Sequence, residues 1–192
     1  MSFENFAMER YQSTFEEEFL FNLSESGVEP LTLEELLEMS GTSIESFLST
    51  SLEYNHSRGT PLLRERIAAI YPEADAANVM VTNGGAEANY ILTWGLLSPG
   101  DELVFQTPNY MQVGSLANNY GVNVKPWPLR EDRGWLPDPD ELDNLVTENT
   151  KAILVTNPNN PTGLELDGEA LRAFCKKASR KATVLVDEAY NE

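Results

Sequence analysis

The sequence predicts an α/β fold: three layers, with a mainly parallel sheet covered by helices on both faces, preceded by a helical N-terminal segment. Two observations carry this. Short apolar runs at VMVT (79–82), ELVFQ (102–106), VNVKPW (122–127), AILVTN (152–157) and TVLVDEAY (183–190) alternate with helical patterns near 61–70, 85–97, 110–120, 138–147 and 167–180. Strands and helices alternating at this spacing are the mark of βαβ units. AILVT and TVLVD also lack polar–apolar alternation, as strands buried on both faces should.

The first fifty residues are acidic and helix-prone. Phe3, Phe6, Tyr11, Phe15 and Phe19 recur at about helical spacing among glutamates, an amphipathic stripe. In LTLEELLEMSG, Thr32 is placed to cap a helix, Glu35 to complete a capping box and Gly41 to stop it. The segment reads as a small separate layer or as an arm that packs on a partner. Further on, Pro61 opens a helix at a position that needs no backbone N–H.

Thirty-one acidic residues oppose 13 basic ones among 192, a formal charge of -18. Such a surface repels nucleic-acid phosphates and anionic lipid, so neither is an expected partner. The start, MSFENFAMERYQSTFEEEF, has neither a basic head nor an apolar core, unlike a secretory signal. No apolar run approaches the roughly 18 residues of a membrane span, and a cytoplasmic protein is expected. The single cysteine, Cys175, lies in a helical pattern and reads as a small buried hydrophobe. With His56 the only histidine, no clustered nitrogen site for a transition metal is visible.

Ligands of such sheets bind beyond the carboxyl ends of the strands, so the residues that follow each strand matter most. After VMVT, Asn83-Gly84-Gly85-Ala86-Glu87-Ala88 runs into a helix. Glycines permit close approach, and a helix start offers free N–H groups to an anion; a structural turn accounts for the same residues. After ELVFQ, Thr107-Pro108-Asn109-Tyr110 sets a tyrosine at the mouth of the sheet, able to stack on a planar ligand or to serve as an ordinary aromatic. After AILVTN, Pro158-Asn159-Asn160-Pro161-Thr162-Gly163 brackets two asparagines with prolines, a stiff loop that can fix an amide in space or simply turn the chain. After TVLV, Asp187-Glu188-Ala189-Tyr190 ends an apolar strand on a carboxylate. That group needs a proton or a cation unless it caps a helix or binds a metal.

Taken together and in order, these stretches resemble the fold-type I pyridoxal-phosphate (PLP) enzymes, most closely the class I/II aminotransferases. The resemblance rests on Tyr54-x4-Gly59-x3-Leu63-Arg64, TNGGAEA, TPNY, NPNNPTG and VDEAY, and covers about residues 50–192. It implies an incomplete PLP-binding large domain over 51–192, with residues 1–50 belonging to a small domain or a dimer arm. It implies that Asp187 pairs with the protonated pyridine nitrogen and that Asn160 and Tyr190 donate to the cofactor's phenolate oxygen. Tyr110 stacks on the ring, and Gly85 and Ala86 offer backbone N–H groups to the phosphate. Tyr54 reaches the phosphate in the neighbouring subunit of a homodimer. Family members often carry a hydroxyl residue near Ala86, which alanine lacks. Glu87, acidic beside an expected dianion, is expected to bond elsewhere.

The resemblance also calls for a Schiff-base lysine a few dozen residues beyond D-x-A-Y. None of Lys125, Lys151, Lys176, Lys177 or Lys181 matches that position. The chain is therefore expected to be an inactive fragment of a longer aminotransferase, moving an amino group between an amino acid and a 2-oxo acid. Lyase, decarboxylase or cyclase chemistry on the same cofactor is an alternative, and so is a non-catalytic PLP-binding module.

Overall fold

The computed structural model describes residues 5–23 and 27–191 and divides into two compact units, Met8–Val81 and Met1–Ala7 with Thr82–Glu192. Phe3 of the expected aromatic stripe lies outside the described residues. Of the rest, Tyr11 and Phe15 are helical, while Phe6 and Phe19 lie just outside the helix at either end, so the stripe is shorter than expected. In α1 (Ala7–Phe15) the rings of Tyr11 and Phe15 lie 5.0 Å apart, and Phe19 follows at 6.4 Å from Phe15. Helix α2 (Leu33–Ser40) starts at Thr32 with both halves of the capping box made. Thr32 Oγ1 accepts from the Glu35 N–H at 3.2 Å, and Glu35 Oε2 accepts from the Thr32 N–H at 2.7 Å. The Thr32 N–H first, and then the Thr32 hydroxyl, which also donates to Glu35 Oε2 at 2.7 Å, hold the Glu35 carboxyl below its ordinary range. Gly41 ends the helix at φ +65°, where a side chain would be strained.

A short helix, α3 (Ile44–Leu48), follows, and then α4 (Pro61–Ala68), capped by the Thr60 hydroxyl. Arg64 braces the turn before α4 to the chain that follows it, donating to Gly59 O at 3.2 Å and Ala76 O at 2.6 Å. Gly59 has φ +90°, and a Cβ there would sit 2.7 Å from Val81 Cβ. Glycine is required on both counts.

The larger unit contains α5 (Gly84–Leu96), β1 (Glu102–Thr107), α6 (Gln112–Asn119), β2 (Asn123–Pro128), α7 (Pro139–Leu145), β3 (Thr150–Thr156), α8 (Gly168–Ala178) and β4 (Thr183–Asp187). All strand pairs are parallel, in the order β2-β1-β3-β4. Side chains alternate across the two faces of the sheet, as the pleat dictates. Leu103 and Phe105 of β1 join Ala152 and Leu154 of β3 in one core with Val113 and Ala117 of α6. Val104, Ile153 and Val155 point the other way, to Trp127, Leu142 of α7 and Ala178 of α8. The three expected layers are thus present. Each fully buried Leu, Ile, Val or Phe contributes about 1.5–3 kcal/mol. Trp127, completely buried, stacks on Phe174 at 5.5 Å and donates Nε1–H to Asp138 O at 3.1 Å.

One expected strand is not formed. VMVT (79–82) lies outside the four-stranded sheet. Val79 has extended dihedrals, but a strand exists only through its ladder. The backbone bond made there is Val81 N–H to Arg58 O, at 3.0 Å. In the same way TVLVDEAY leaves the sheet at Asp187, where its pairing with β3 ends.

Candidate functional site

Strands β1 and β3 are neighbours although β2 separates them in sequence, so their connections depart in opposite directions. At such a switch point the loops splay apart beyond the carboxyl ends and leave a crevice. The two loops there are TPNY after β1 and NPNNPTG after β3.

Buried hydrogen bonds lock these loops together. The Gln106 side chain accepts from Thr156 N–H at 2.8 Å, and Thr156 Oγ1 donates to Asn109 Oδ1 at 2.8 Å. Asn109 Oδ1 also accepts from Tyr110 N–H at 2.7 Å, while its Nδ2 is buried without a hydrogen-bond partner. The asparagines of the second loop divide the work. Asn157 pins the strand exit to Leu166, accepting from its N–H at 2.7 Å and donating to its carbonyl at 3.2 Å. Asn159, 3% exposed, donates to Pro108 O at 3.3 Å and accepts from the Thr162 hydroxyl at 2.7 Å. Only Asn160 turns its amide outward from this scaffold, and its Nδ2 lies 3.4 Å from Tyr190 Oη.

Asp187 closes β4, half-buried. Its Oδ1 accepts from Ala189 N–H at 3.2 Å and its Oδ2 from Asn89 Nδ2 at 3.3 Å. Asn89 belongs to α5, whose first turn contains Gly84, Gly85 and Ala86. N–H groups in a first turn have no partner within the helix. Gly84 takes φ +80°, and nothing lies within 4 Å of where a Cβ on Gly84 or Gly85 would stand. The seat is open. Glu87 bonds elsewhere, as expected, accepting from Asn83 N at 2.6 Å and Asn83 Nδ2 at 3.1 Å. Tyr110 is half-buried, and its ring meets that of Phe6 at 5.2 Å and 57°. The structure thus links Asp187 through Asn89 and Gln112 to Ala86, next to Gly85 in the chain, and sets Asn160 against Tyr190. Tyr54 belongs to the smaller unit and is fully exposed there.

Two participants carry no sequence motif, Asn89 and Gln112, and Phe6 was expected only as part of the aromatic stripe. Gln112 Nε2 donates to Ala86 O at 2.9 Å, and its Oε1 lies 3.4 Å from Asn89 Nδ2. A polar residue within the apolar run of α5 is the one sequence sign of Asn89. The thiol of Cys175 is pushed up by burial and then by the charge of Glu188, which disfavours the thiolate a nucleophile needs. Among the described residues no group of three His, Cys, Asp or Glu is placed to hold a metal. None of the helices there is long and apolar enough to cross a membrane.

A doubly covered parallel sheet with an open helix start, a carboxylate and an amide–hydroxyl pair near its carboxyl edge defines the class: an α/β domain of the parallel, three-layer kind. The family model described as aminotransferase class I and II matches residues 32–192, and the chain belongs to that family. An aspartate aminotransferase of Pyrococcus horikoshii is 34% identical over 146 residues, 71% of this chain and 37% of that protein. A histidinol-phosphate aminotransferase of Rubrobacter xylanophilus is 36% identical over 130 residues, 68% of this chain and 36% of that protein. The crystal structure of a PLP-dependent aminotransferase from Streptococcus suis superposes with a TM-score of 0.91 at 32% identity, covering 98% of this chain and 52% of that one. The chain therefore spans about half the length of these relatives or less.

Proposed function

We propose that this chain supplies the cofactor-binding part of a PLP-dependent aminotransferase, moving an amino group between an amino acid and a 2-oxo acid. One observation carries the reading. Donors and acceptors of the required sense gather at one end of one sheet: N–H groups at the start of α5, a carboxylate at Asp187, and an amide with a hydroxyl at Asn160 and Tyr190. They fit the cofactor. Its phosphate suits the open first turn of α5, its ring nitrogen suits the carboxylate, and its phenolate oxygen suits the two donors. Asn89 stands three residues after Ala86, about 4.5 Å along the helix axis, so the carboxylate is held within reach of a small ligand seated on that turn.

When bound, the cofactor's cationic ring supplies an electron sink for the pair left on the substrate's α-carbon. Asp187 holds the proton on the ring nitrogen, because a neighbouring negative charge favours the protonated form. Asn160 and Tyr190 donate to the phenolate oxygen, Gly85 and Ala86 bind the phosphate through their N–H groups, and Tyr110 covers one ring face and excludes water from it. We assign residues 51–192 to the cofactor-binding domain and residues 1–50 to a small domain or dimer arm, with Tyr54 reaching the phosphate of a neighbouring subunit. A cytoplasmic homodimer without nucleic-acid or membrane partners completes the reading. No lysine of the chain is assigned a catalytic role: Lys125 is bonded to Glu102, and Lys177 and Lys181 to Asp143.

Titration of the chain with PLP, read by tryptophan fluorescence, tests the cofactor site: saturable binding that inorganic phosphate competes away is expected. Absence of saturation at millimolar PLP overturns it. In the enzyme containing this chain, conversion of the aminated cofactor by 2-oxoglutarate tests the reaction, and no conversion excludes amino transfer to that acceptor.

A further inference from the structure

Asp187 and the first turn of α5 are 98 and 26 residues from the side chains that join them, yet two amides close the gap. Asn89 Nδ2 carries two hydrogens and has two acceptors, Asp187 Oδ2 at 3.3 Å and Gln112 Oε1 at 3.4 Å. Gln112 turns its Nε2 to Ala86 O at 2.9 Å. The amide orientations are mutually enforced. Rotating Asn89 by half a turn would aim its oxygen at two acceptors, and rotating Gln112 would set its oxygen against a carbonyl.

We infer that Asn89 is a positioning residue for Asp187, and that with Gln112 it holds the carboxylate in a fixed relation to the anion seat at the start of α5. The inference rests on the PLP-binding reading above. With Oδ1 held by Ala189 N–H and Oδ2 by Asn89, the carboxylate cannot turn about its Cβ–Cγ bond without breaking a bond at each end. Each oxygen still keeps lone-pair capacity for a cationic N–H. Preorganisation of this kind saves the ligand the cost of ordering the group itself. Gln112 adds the second link, because any shift of the first turn of α5 is carried to Asn89 and thence to Asp187.

The test compares the chain with Asn89→Leu, which keeps the volume and removes both donors. Each is titrated with PLP and with its carbocyclic analogue, in which CH replaces the ring nitrogen. The unaltered chain is expected to bind PLP at least about tenfold more tightly than the analogue, the scale of one hydrogen bond to a charged group. Asn89→Leu should lose most of that preference and bind the analogue as before. Equal losses for both ligands would mean a merely structural role and overturn the inference, as would no loss at all. An unaltered chain that binds PLP no better than the analogue, or not at all, overturns the reading beneath it and the inference with it. A second measurement needs no ligand and guards against misfolding of the leucine variant. In the ligand-free chain, Asp187→Ala should shift the Asn89 side-chain amide protons and speed their exchange with solvent; unchanged signals overturn the inference.

Discussion

The amide nitrogen of Asn160 lies 3.4 Å from the phenol oxygen of Tyr190, joining a loop after β3 to the chain beyond β4 across 30 residues. Both groups can donate. Their proximity makes them a coupled pair. Tyr190→Phe and Asn160→Ala are each expected to weaken PLP by about 1 kcal/mol, or roughly fivefold. The double variant should lose less than the sum, because the partners touch. Equilibrium titration of the four proteins measures the coupling, and strict additivity would place the two groups on different parts of the ligand.

Glu87 keeps its carboxylate on Asn83, in the same first turn of α5 as the seat assigned to a dianion. Glu87→Gln keeps an acceptor for the Asn83 N–H and removes the charge. PLP and inorganic phosphate should each bind about two- to fivefold more tightly, with the gain fading as salt rises, since exposed charges are screened. A gain that salt leaves untouched would point away from electrostatics.

Gly114 of α6 lies against the ring of Phe105 in β1, and a Cβ there would meet Cε1 at 3.0 Å and Cζ at 3.1 Å. Both residues are buried, so neither the helix nor the ring has room to yield. Gly114→Ala should cost about 1–3 kcal/mol through overpacking, despite alanine's better helix propensity. A lowered urea midpoint with an unchanged slope checks it.

Glu102 accepts from Lys125 at 2.7 Å and from the hydroxyls of Thr147 and Thr150 at 2.5 and 3.1 Å. The bond from Lys125 first, then that from Thr147, holds its carboxyl below the ordinary value of 4.5. The folded state therefore binds fewer protons than the unfolded state near that pH. The stabilisation is complete above 4.5 and is lost as pH falls through the lower folded value. Glu102→Gln should lower the urea midpoint at neutral pH, and the gap to the unaltered protein should narrow on acidification below 4.5. A gap that is constant with pH would deny the ionic contribution.

Much of this architecture is legible in the residues. The four strands of the sheet fall within the expected apolar runs to within two or three residues at either end, most plainly the central β1 and β3, which are buried on both faces and so need uninterrupted apolar side chains. Thr32, Glu35 and Gly41 announce α2, since capping is decided by neighbours in sequence. VMVT shows the limit: its composition suits a strand, but pairing depends on a partner elsewhere in space. The placement of Asn160, Asp187 and Tyr190 near strand ends was legible, because Asp187 closes β4 and the other two follow a strand end within four residues. Asn89 and Gln112 were not, because an amide on a helix acquires its role only when the fold brings a partner from elsewhere in the chain beside it. The closure of Phe6 on Tyr110 is likewise a matter of tertiary placement.

Asp187 is assigned as the charged anchor of the PLP site, and equilibrium binding of PLP to the chain and to Asp187→Ala and Tyr110→Phe is the decisive measurement. Asp187→Ala should weaken PLP by about tenfold or more, since it removes a charge-assisted bond. Tyr110→Phe should lose much less, because the phenylalanine ring still stacks. Equal affinities for the two variants would contradict the assigned orientation of the ring.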